Sequence, residues 1–273
     1  MWHRPRPSNA PQERIMKSFD PLLTALWLLW ACLLFGGFIF GSLDEEAGQR
    51  IPTWARMYSS FTLAAAGWSW YARKEPQWVR RMSLLLAVGM TCGLMGDLSL
   101  AGFYGPPRVT EGIFFFFLGH ICYTLAAVTI SRNATVTPRM RARLLTTAAW
   151  VLIGVLGWLL IAFPSSAPAS LRWNGLLYAL VLAIMAGSAT ALVFVSRKFI
   201  PVAAGGVLFF TSDMILSAQL FRDAHFPLIG SVVWLTYGPA QMLIIYGSNI
   251  AARSVQHRLP NGETAPQEAG GTT

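Results

Sequence analysis

The sequence is poor in charged residues, in cysteine and in histidine. Only 12% of its 273 residues are charged, whereas 54% are hydrophobic, and a soluble domain carries roughly 25% charge. Its three cysteines all lie in apolar segments, which excludes a disulfide framework. A Gly-x-Ser-x-Gly motif is also missing, which argues against a serine hydrolase. The composition therefore indicates a protein whose main solvent is lipid.

Eight apolar stretches are long enough to cross a bilayer, which takes about 20 residues of α-helix. Lipid offers no partners to backbone polar groups, so these stretches are predicted to be helices. They lie at residues 21–41, 54–72, 82–101, 111–131, 143–163, 173–196, 201–221 and 227–249. The sequence thus predicts an all-α, polytopic bundle of eight transmembrane helices at 21–250. A basic tail at 1–20 precedes it, and a disordered tail at 251–273 follows.

The basic residues are distributed unequally between the two ends of these spans. If the spans alternate in direction, 16 of the 21 Lys and Arg residues fall on the side of the two termini. Short basic loops stay in the cytoplasm, so both termini are predicted to be cytoplasmic. The net charge of +9 is spread over short loops, which favours topology and anionic lipid, rather than nucleic acid, as its cause. We expect a multi-pass protein, in the plasma (inner) membrane if the source is bacterial; no oligomeric state is predicted.

Two aspartates lie inside predicted spans, where an ionisable side chain is costly and commonly functional. Asp97 is in the third span and Asp213 in the seventh, and both spans run outward. A rise of about 1.5 Å per residue places Asp97 roughly 6 Å and Asp213 roughly 12 Å from the outer ends. Within the error of the span boundaries, the two carboxyl groups are expected at one level. The alternative is that each only hydrogen-bonds a neighbouring helix.

Other polar side chains are expected at a similar depth. The same rise puts His120 about 13 Å and Tyr237 about 15 Å from the outer ends. Helical spacing places Tyr123 on the face of His120, and Gln241 on the face of Tyr237. For His120, Tyr237 and Gln241 the alternative is a hydrogen bond between helices without a chemical role. Because His120 is the only intramembrane histidine, the usual zinc shell is not available, and no metal is predicted.

The surroundings of the two aspartates are similar in sequence. The segment Gly96-Asp97-Leu98-Ser99-Leu100 has residue types similar to those of Ser212-Asp213-Met214-Ile215-Leu216, which lies 116 residues later. Each segment is followed by a span with a polar pair. A duplicated four-helix unit would place the two aspartates in equivalent positions about an axis along the membrane normal.

Five short segments, each in a different span, resemble the YhhN family of membrane proteins. They are Cys92–Leu100, Phe117–Tyr123, Tyr178–Met185, Phe209–Asp213 and Tyr237–Gln241. The resemblance implies an eight-helix bundle. Enzyme members of the family hydrolyse the vinyl ether bond of lysoplasmalogens, which releases a fatty aldehyde and glycerophospho-ethanolamine or -choline. The resemblance also implies that Asp97 and Asp213 are an acid–base pair. The predicted supporting or substrate-binding residues are His120, Tyr123, Tyr178, Ser212, Tyr237 and Gln241.

The implied chemistry needs one protonated and one ionised carboxyl group. A vinyl ether hydrolyses when a proton reaches its outer alkene carbon; water then attacks the oxocarbenium ion, and the hemiacetal collapses to aldehyde and alcohol. Glycosidases divide the work of two carboxyl groups in a related way. Our hypothesis takes Asp213 as the acid and Asp97 as the base that orients water; the reverse assignment stays open. No cofactor is predicted.

The expected partners are a lysophospholipid substrate and membrane lipids. Arg56, Arg108 and Arg222, at the outer helix ends, are candidates to bind the phosphate, although an arginine there can also simply snorkel. Two other functions stay open. One is a proton-coupled transporter, which also uses buried acids and a histidine. Transporters often have helices that are interrupted by Gly or Pro, and Pro239 in the eighth span is such a residue. The other is a lipid-binding protein without catalysis.

Overall fold

The chain forms eight long helices in a computed structural model, which describes residues 20–103, 105–134 and 139–256. In chain order they are α1 (Pro21–Phe40), α2 (Thr53–Tyr71), α3 (Gln77–Leu100), α4 (Val109–Asn133), α5 (Met140–Ile161), α6 (Ala169–Ala191), α7 (Ile200–Arg222) and α8 (Ile229–Gln256). Within these residues the chain has no β-strand, and the loop after α1 contains an isolated bridge between Asp44 and Gln49. The all-α prediction is confirmed.

All the described helices except α2 are long and apolar enough to cross a bilayer, which makes seven. The 19 residues of α2 include Arg56, Ser59, Ser60 and Thr62, which lower its hydropathy. The three hydroxyl residues are buried, so they face protein and not lipid. The multi-pass membrane character is confirmed, whereas the eighth span and the cytoplasmic position of both termini stay predictions.

Helix α8 ends later than the sequence predicts. It continues to Gln256, beyond the predicted end of the transmembrane domain at residue 250. The reason is that its last turns still have partners: Ala252 is buried, and Arg253 Nη2 lies 3.0 Å from Glu75 Oε1. The rest of the predicted tails, at 1–19 and 257–273, lies outside the described residues.

Neighbouring helices approach each other closely at small residues. A Cβ on Gly119 of α4 would lie 3.1 Å from the backbone oxygen of Gly89 on α3. On α6, a Cβ on Gly187 would lie 2.7 Å from Thr147 Cα on α5. In lipid no hydrophobic force draws helices together, so association depends on such close packing. Larger side chains at these glycines would separate the helices that carry the polar groups.

The helices form two halves of four, with the same order of contacts in each. In the first half α2 packs on α3 and α3 on α4; in the second, α6 packs on α7 and α7 on α8. The halves are joined crosswise, because α4 packs on α6 and α8 on α2. This arrangement agrees with a duplicated four-helix unit. It gives α3 and α7, which carry the two aspartates, equivalent places in the bundle.

Candidate active site

Asp97 is buried where α2, α3 and α8 meet, with 4% of its surface exposed. Its Oδ2 accepts a hydrogen bond from Ser60 Oγ at 2.5 Å and another from Tyr237 Oη at 3.1 Å. One turn further along α8, Gln241 Nε2 donates to the same tyrosine oxygen at 2.5 Å. An ionised carboxylate is an acceptor only, so two hydroxyl donors on one oxygen suit the ionised form.

Asp213 is buried where α4, α6 and α7 meet. Tyr178 Oη donates a hydrogen bond to its Oδ2. His120 Nε2 lies 3.1 Å from the same tyrosine oxygen and 3.7 Å from Asp213 Oδ2. Asp213, Tyr178 and His120 therefore form a continuous chain of hydrogen-bonding groups, and its members come from three helices.

Two proton arrangements fit the heavy-atom positions of this chain. In one, His120 Nε2–H donates to Tyr178, which donates to an ionised Asp213. In the other, a protonated Asp213 donates to Tyr178, which donates to neutral His120. Nδ1 of His120 is buried and finds no hydrogen-bond partner among the residues that the structure describes. The second arrangement holds a proton on Asp213, as a general acid requires.

Aromatic rings connect the hydrogen bonds of Asp97 with those of Asp213. The ring of Phe209 is 4.7 Å from that of His120 and 5.1 Å from that of Tyr237, between centroids. Phe116 packs edge-on against Tyr237 at 6.0 Å. The two hydrogen-bonded halves of the site therefore meet through the contacts of Phe209 with His120 and Tyr237.

A cavity of about 160 Å³ reaches one of these halves. Asp213 and Tyr178 line it, and Ser217, one turn beyond Asp213, lies on the same wall. The rest of the lining is mostly apolar and comes from α3 to α7; it includes Leu100, Ile113, Phe116, Trp158, Leu220 and Phe221. Of the two aspartates, Asp213 belongs to the lining, whereas Asp97 does not. A group bound in this cavity would therefore meet Asp213 first.

The structure places two of the predicted supporting residues apart from these hydrogen bonds. Ser212 Oγ donates to the backbone oxygen of Val233 at 3.1 Å and so links α7 to α8. The ring of Tyr123 packs against His120 and Phe209, each at 6.4 Å. The Tyr123 hydroxyl is buried, and no described residue accepts from it or donates to it. The structure joins Tyr237 and Gln241 to Asp97, and it joins His120 and Tyr178 to Asp213.

Ser60 is the contact of Asp97 that sequence reasoning missed. Hydroxyl side chains are common in membrane helices, where they often bond to their own backbone. Ser59 does so, since its Oγ donates to the backbone oxygen of Arg56 at 2.7 Å. The signal that could have revealed Ser60 is the run of polar residues in the least apolar span. Nothing in the spacing distinguishes Ser60 from Ser59 before the packing of α2 on α3 is known.

Fold and site together define a multi-pass helical membrane protein with two buried carboxyl groups. The chain matches the model of the YhhN family over residues 51–248, and it belongs to this family. The resemblance noted in the sequence is thereby confirmed. The matched segment includes every residue of the two hydrogen-bonded halves. Neither the curated proteins nor the solved structures gave a match.

Proposed function

We propose that this protein is an intramembrane hydrolase that cleaves the vinyl ether bond of lysoplasmalogens. Asp213 acts as the general acid and Asp97 as the general base. The observation that carries the proposal is the position of Asp213 at an apolar cavity, bonded to Tyr178 and within reach of His120. A hydrocarbon chain in the cavity would bring the bond at its end to a proton donor. Membership of the YhhN family supports the hydrolase class.

In the first step, Asp213 transfers its proton to the outer alkene carbon. The electron pair of the double bond forms the new C–H bond, and the positive charge is shared by the inner carbon and the ether oxygen. Asp213 is left as a carboxylate, which is close to the cation that it has generated. General acid catalysis of this kind contributes about 10²- to 10⁴-fold to a rate.

In the second step, a water molecule bonds to the inner carbon and gives a proton to Asp97. The product is a hemiacetal, whose hydroxyl proton moves to the glycerol oxygen as the C–O bond breaks. One water is consumed, and a fatty aldehyde and a glycerophospho compound are released. The proton on Asp97 is lost to solvent, and Tyr178 and His120 supply the route by which Asp213 regains one.

The surroundings of Asp97 support its role as the base. Ser60 and Tyr237 both donate to it, and hydrogen bonds to a charged form favour that form. The ring contacts of Phe209 with His120 and Tyr237 connect the surroundings of Asp213 and Asp97, and two neighbouring carboxyl groups cannot easily be ionised together. One ionised and one protonated aspartate is therefore the favoured state of the pair.

The test uses purified protein and three lysophospholipids with the same chain length and head group. One has a vinyl ether chain, one a saturated ether and one an ester. We expect fatty aldehyde from the vinyl ether alone, detected by mass spectrometry. Release of fatty acid from the ester, without aldehyde from the vinyl ether, would mean that the proposed reaction is wrong.

A proton-coupled transporter is the second candidate, and two irregular helices favour it. Pro239 lies inside α8, and α1 contains a π-helical turn at Cys32–Gly36. The two irregularities are adjacent, because a Cβ on Gly238 would lie 2.7 Å from a methyl carbon of Leu34. Broken helices at the binding site are typical of transporters. In proteoliposomes, substrate uptake that follows a proton gradient, without aldehyde release, would support transport.

A further inference from the structure

Arg56 lies four residues before Ser60 on α2, and therefore on the same helix face. Its Cζ atom lies 5.4 Å from the ring centroid of Trp234 on α8. Trp234 in turn packs edge-on against Tyr237, with 5.3 Å between ring centroids. Ser60 and Tyr237 are the two donors to Asp97. Arg56 and Trp234 thus form the layer next to the hydrogen bonds that hold Asp97.

The guanidinium group of Arg56 has donors to spare. Its Nη2 donates to Thr53 Oγ1 of the same helix at 2.9 Å. Its Nε is buried and meets no acceptor in the part of the chain that the structure describes. Asp97 and Asp44 attract it electrostatically from a distance. A buried donor without an acceptor is unfavourable, so an acceptor from outside the chain is expected here.

The other two arginines that the sequence suggested for the phosphate are already engaged. Arg108 Nη1 lies 3.0 Å from Glu111 Oε1. Arg222 Nη2 donates to the backbone oxygen of Leu160 at 2.8 Å. Of the three, Arg56 combines an unpaired N–H group with a position beside one of the aspartates.

We infer that Arg56, supported by Trp234, binds the phosphate of the substrate. A lysophospholipid then lies with its phosphate at Arg56, its vinyl ether between Asp97 and Asp213, and its chain in the cavity lined by Asp213. This inference rests on the proposed function and assigns the residue that recognises the phosphate of its substrate. The planar guanidinium is suited to two parallel hydrogen bonds with phosphate oxygens. Its positive charge also offsets the repulsion between the phosphate and the negative charge of Asp97.

The first test compares two vinyl ether substrates with the same chain, a lysoplasmalogen and the corresponding 1-alkenylglycerol without phosphate. We expect Arg56→Gln to raise the KM for the lysoplasmalogen about 10- to 100-fold, the range for loss of a charged hydrogen bond. The KM for the 1-alkenylglycerol should change less than about threefold, because Arg56 has nothing to bind on it. Arg56→Lys keeps the charge without the planar fork and should give an intermediate KM. Arg108→Gln is the matched control, and it should leave both values unchanged.

If Arg56→Gln lowers kcat for both substrates by the same factor and leaves their KM values unchanged, Arg56 acts on Asp97 and not on a phosphate. The inference is then wrong while the proposed hydrolysis stands. Absence of aldehyde from the wild-type protein with either substrate contradicts the proposed function itself.

A binding measurement tests Arg56 without relying on turnover. The ligands are a saturated-ether lysophospholipid and the 1-alkylglycerol with the same chain, and the readout is the shift in Tm of the full-length protein. We expect the phosphate-bearing ligand to stabilise the wild type more, and Arg56→Gln and Arg56→Lys to reduce that difference. Equal stabilisation of the wild type by the two ligands would overturn the inference. If Arg56→Gln does not fold, Arg56→Lys alone is compared with the wild type.

Discussion

Tyr237 and His120 occupy equivalent positions in the two four-helix halves of the bundle. Each of them approaches the aspartate of the other half. Tyr237, on the last helix of the second half, donates to Asp97 of the first. His120, on the last helix of the first half, approaches Asp213 of the second, directly and through Tyr178. Tyr237 follows His120 by 117 residues, and Asp213 follows Asp97 by 116. Neither half of the chain contains a complete site by itself.

The equivalence of the halves does not extend to their chemistry. Ser60 and Tyr178 also correspond, since each lies on the helix that precedes its aspartate. However, of the two hydrogen-bonded groups only the one around Asp213 contains a histidine. A histidine side chain can take up and release protons near neutral pH. Asp97 instead accepts from two hydroxyl groups at one carboxyl oxygen. This difference supports the assignment of the acid to Asp213 and of the base to Asp97.

Removal of the Tyr178 hydroxyl should interrupt the chain between His120 and Asp213. We expect Tyr178→Phe to lower kcat about 100-fold, the lower end of what positioned acid–base groups contribute. Tyr123→Phe is the matched control, since its buried hydroxyl has no partner among the described residues, and removing it should not reduce the rate. The measurement is aldehyde release under saturating substrate. Equal rates for the two variants would contradict the proton route.

Ser60→Ala should lower both the stability and the activity of the protein, because Ser60 donates a hydrogen bond to Asp97. It removes one of the two donors to this buried carboxylate, whereas Ser59→Ala removes a bond to the backbone of the same helix. We expect Ser60→Ala to cost about 1 kcal/mol of stability, as for hydrogen bonds between membrane helices, and to lower the rate. Thermal unfolding in detergent and aldehyde release test the two effects. Variants that behave alike would show that the Ser60 bond has no part in the site.

Filling the cavity should shorten the chains that the protein accepts. Ser217 lies on the cavity wall one turn beyond Asp213, and Ser217→Leu would occupy space that a hydrocarbon chain needs. We expect the preferred chain length to shift to shorter lipids, with kcat/KM for long chains reduced about tenfold, as for a few lost methylene contacts. Thr211→Leu, on the exposed side of α7, is the control. An unchanged chain-length profile in Ser217→Leu would place the substrate elsewhere.

The topology predicts on which side of the membrane each loop lies. If α2 crosses the membrane despite its polar residues, a reporter fused after Lys74 and one fused at the C-terminus should both be cytoplasmic. A reporter fused after Gly48 should be on the opposite side. Residues 48 and 74 on the same side would mean that α2 does not cross, and the count of spans would be seven.

The helices were predictable because lipid permits so few backbone structures. The second span was predicted at 54–72 and is Thr53–Tyr71. Helical rise also predicted that His120 and Tyr237 lie at one depth, and in the structure both rings contact Phe209. Depth and face are properties of one helix, so they can be read from its own sequence.

Contacts between helices could not be predicted in the same way. They depend on how each helix is rotated against its neighbours. This rotation decides that Ser60, and not Ser59, contacts Asp97, and that Ser212 bonds to Val233. It also decides on which side of the site each aspartate lies. The cavity at Asp213 depends on five helices at once. The extension of α8 to Gln256 depends on a distant partner, Glu75. Such features follow from packing and leave no periodic signal.

In the proposed mechanism Asp213 delivers a proton to carbon, and the reaction in D2O tests this step. Wild-type protein acting on a vinyl ether lysophospholipid should release an aldehyde that carries a single deuterium at the carbon next to the carbonyl group. The aldehyde is trapped as it forms, so that later exchange does not add label. Asp213→Asn should lower this release at least about 100-fold, while Asp223→Asn, at an exposed helix end, should not change it. Aldehyde without deuterium at that carbon, or full activity of Asp213→Asn, would show that Asp213 does not protonate the substrate.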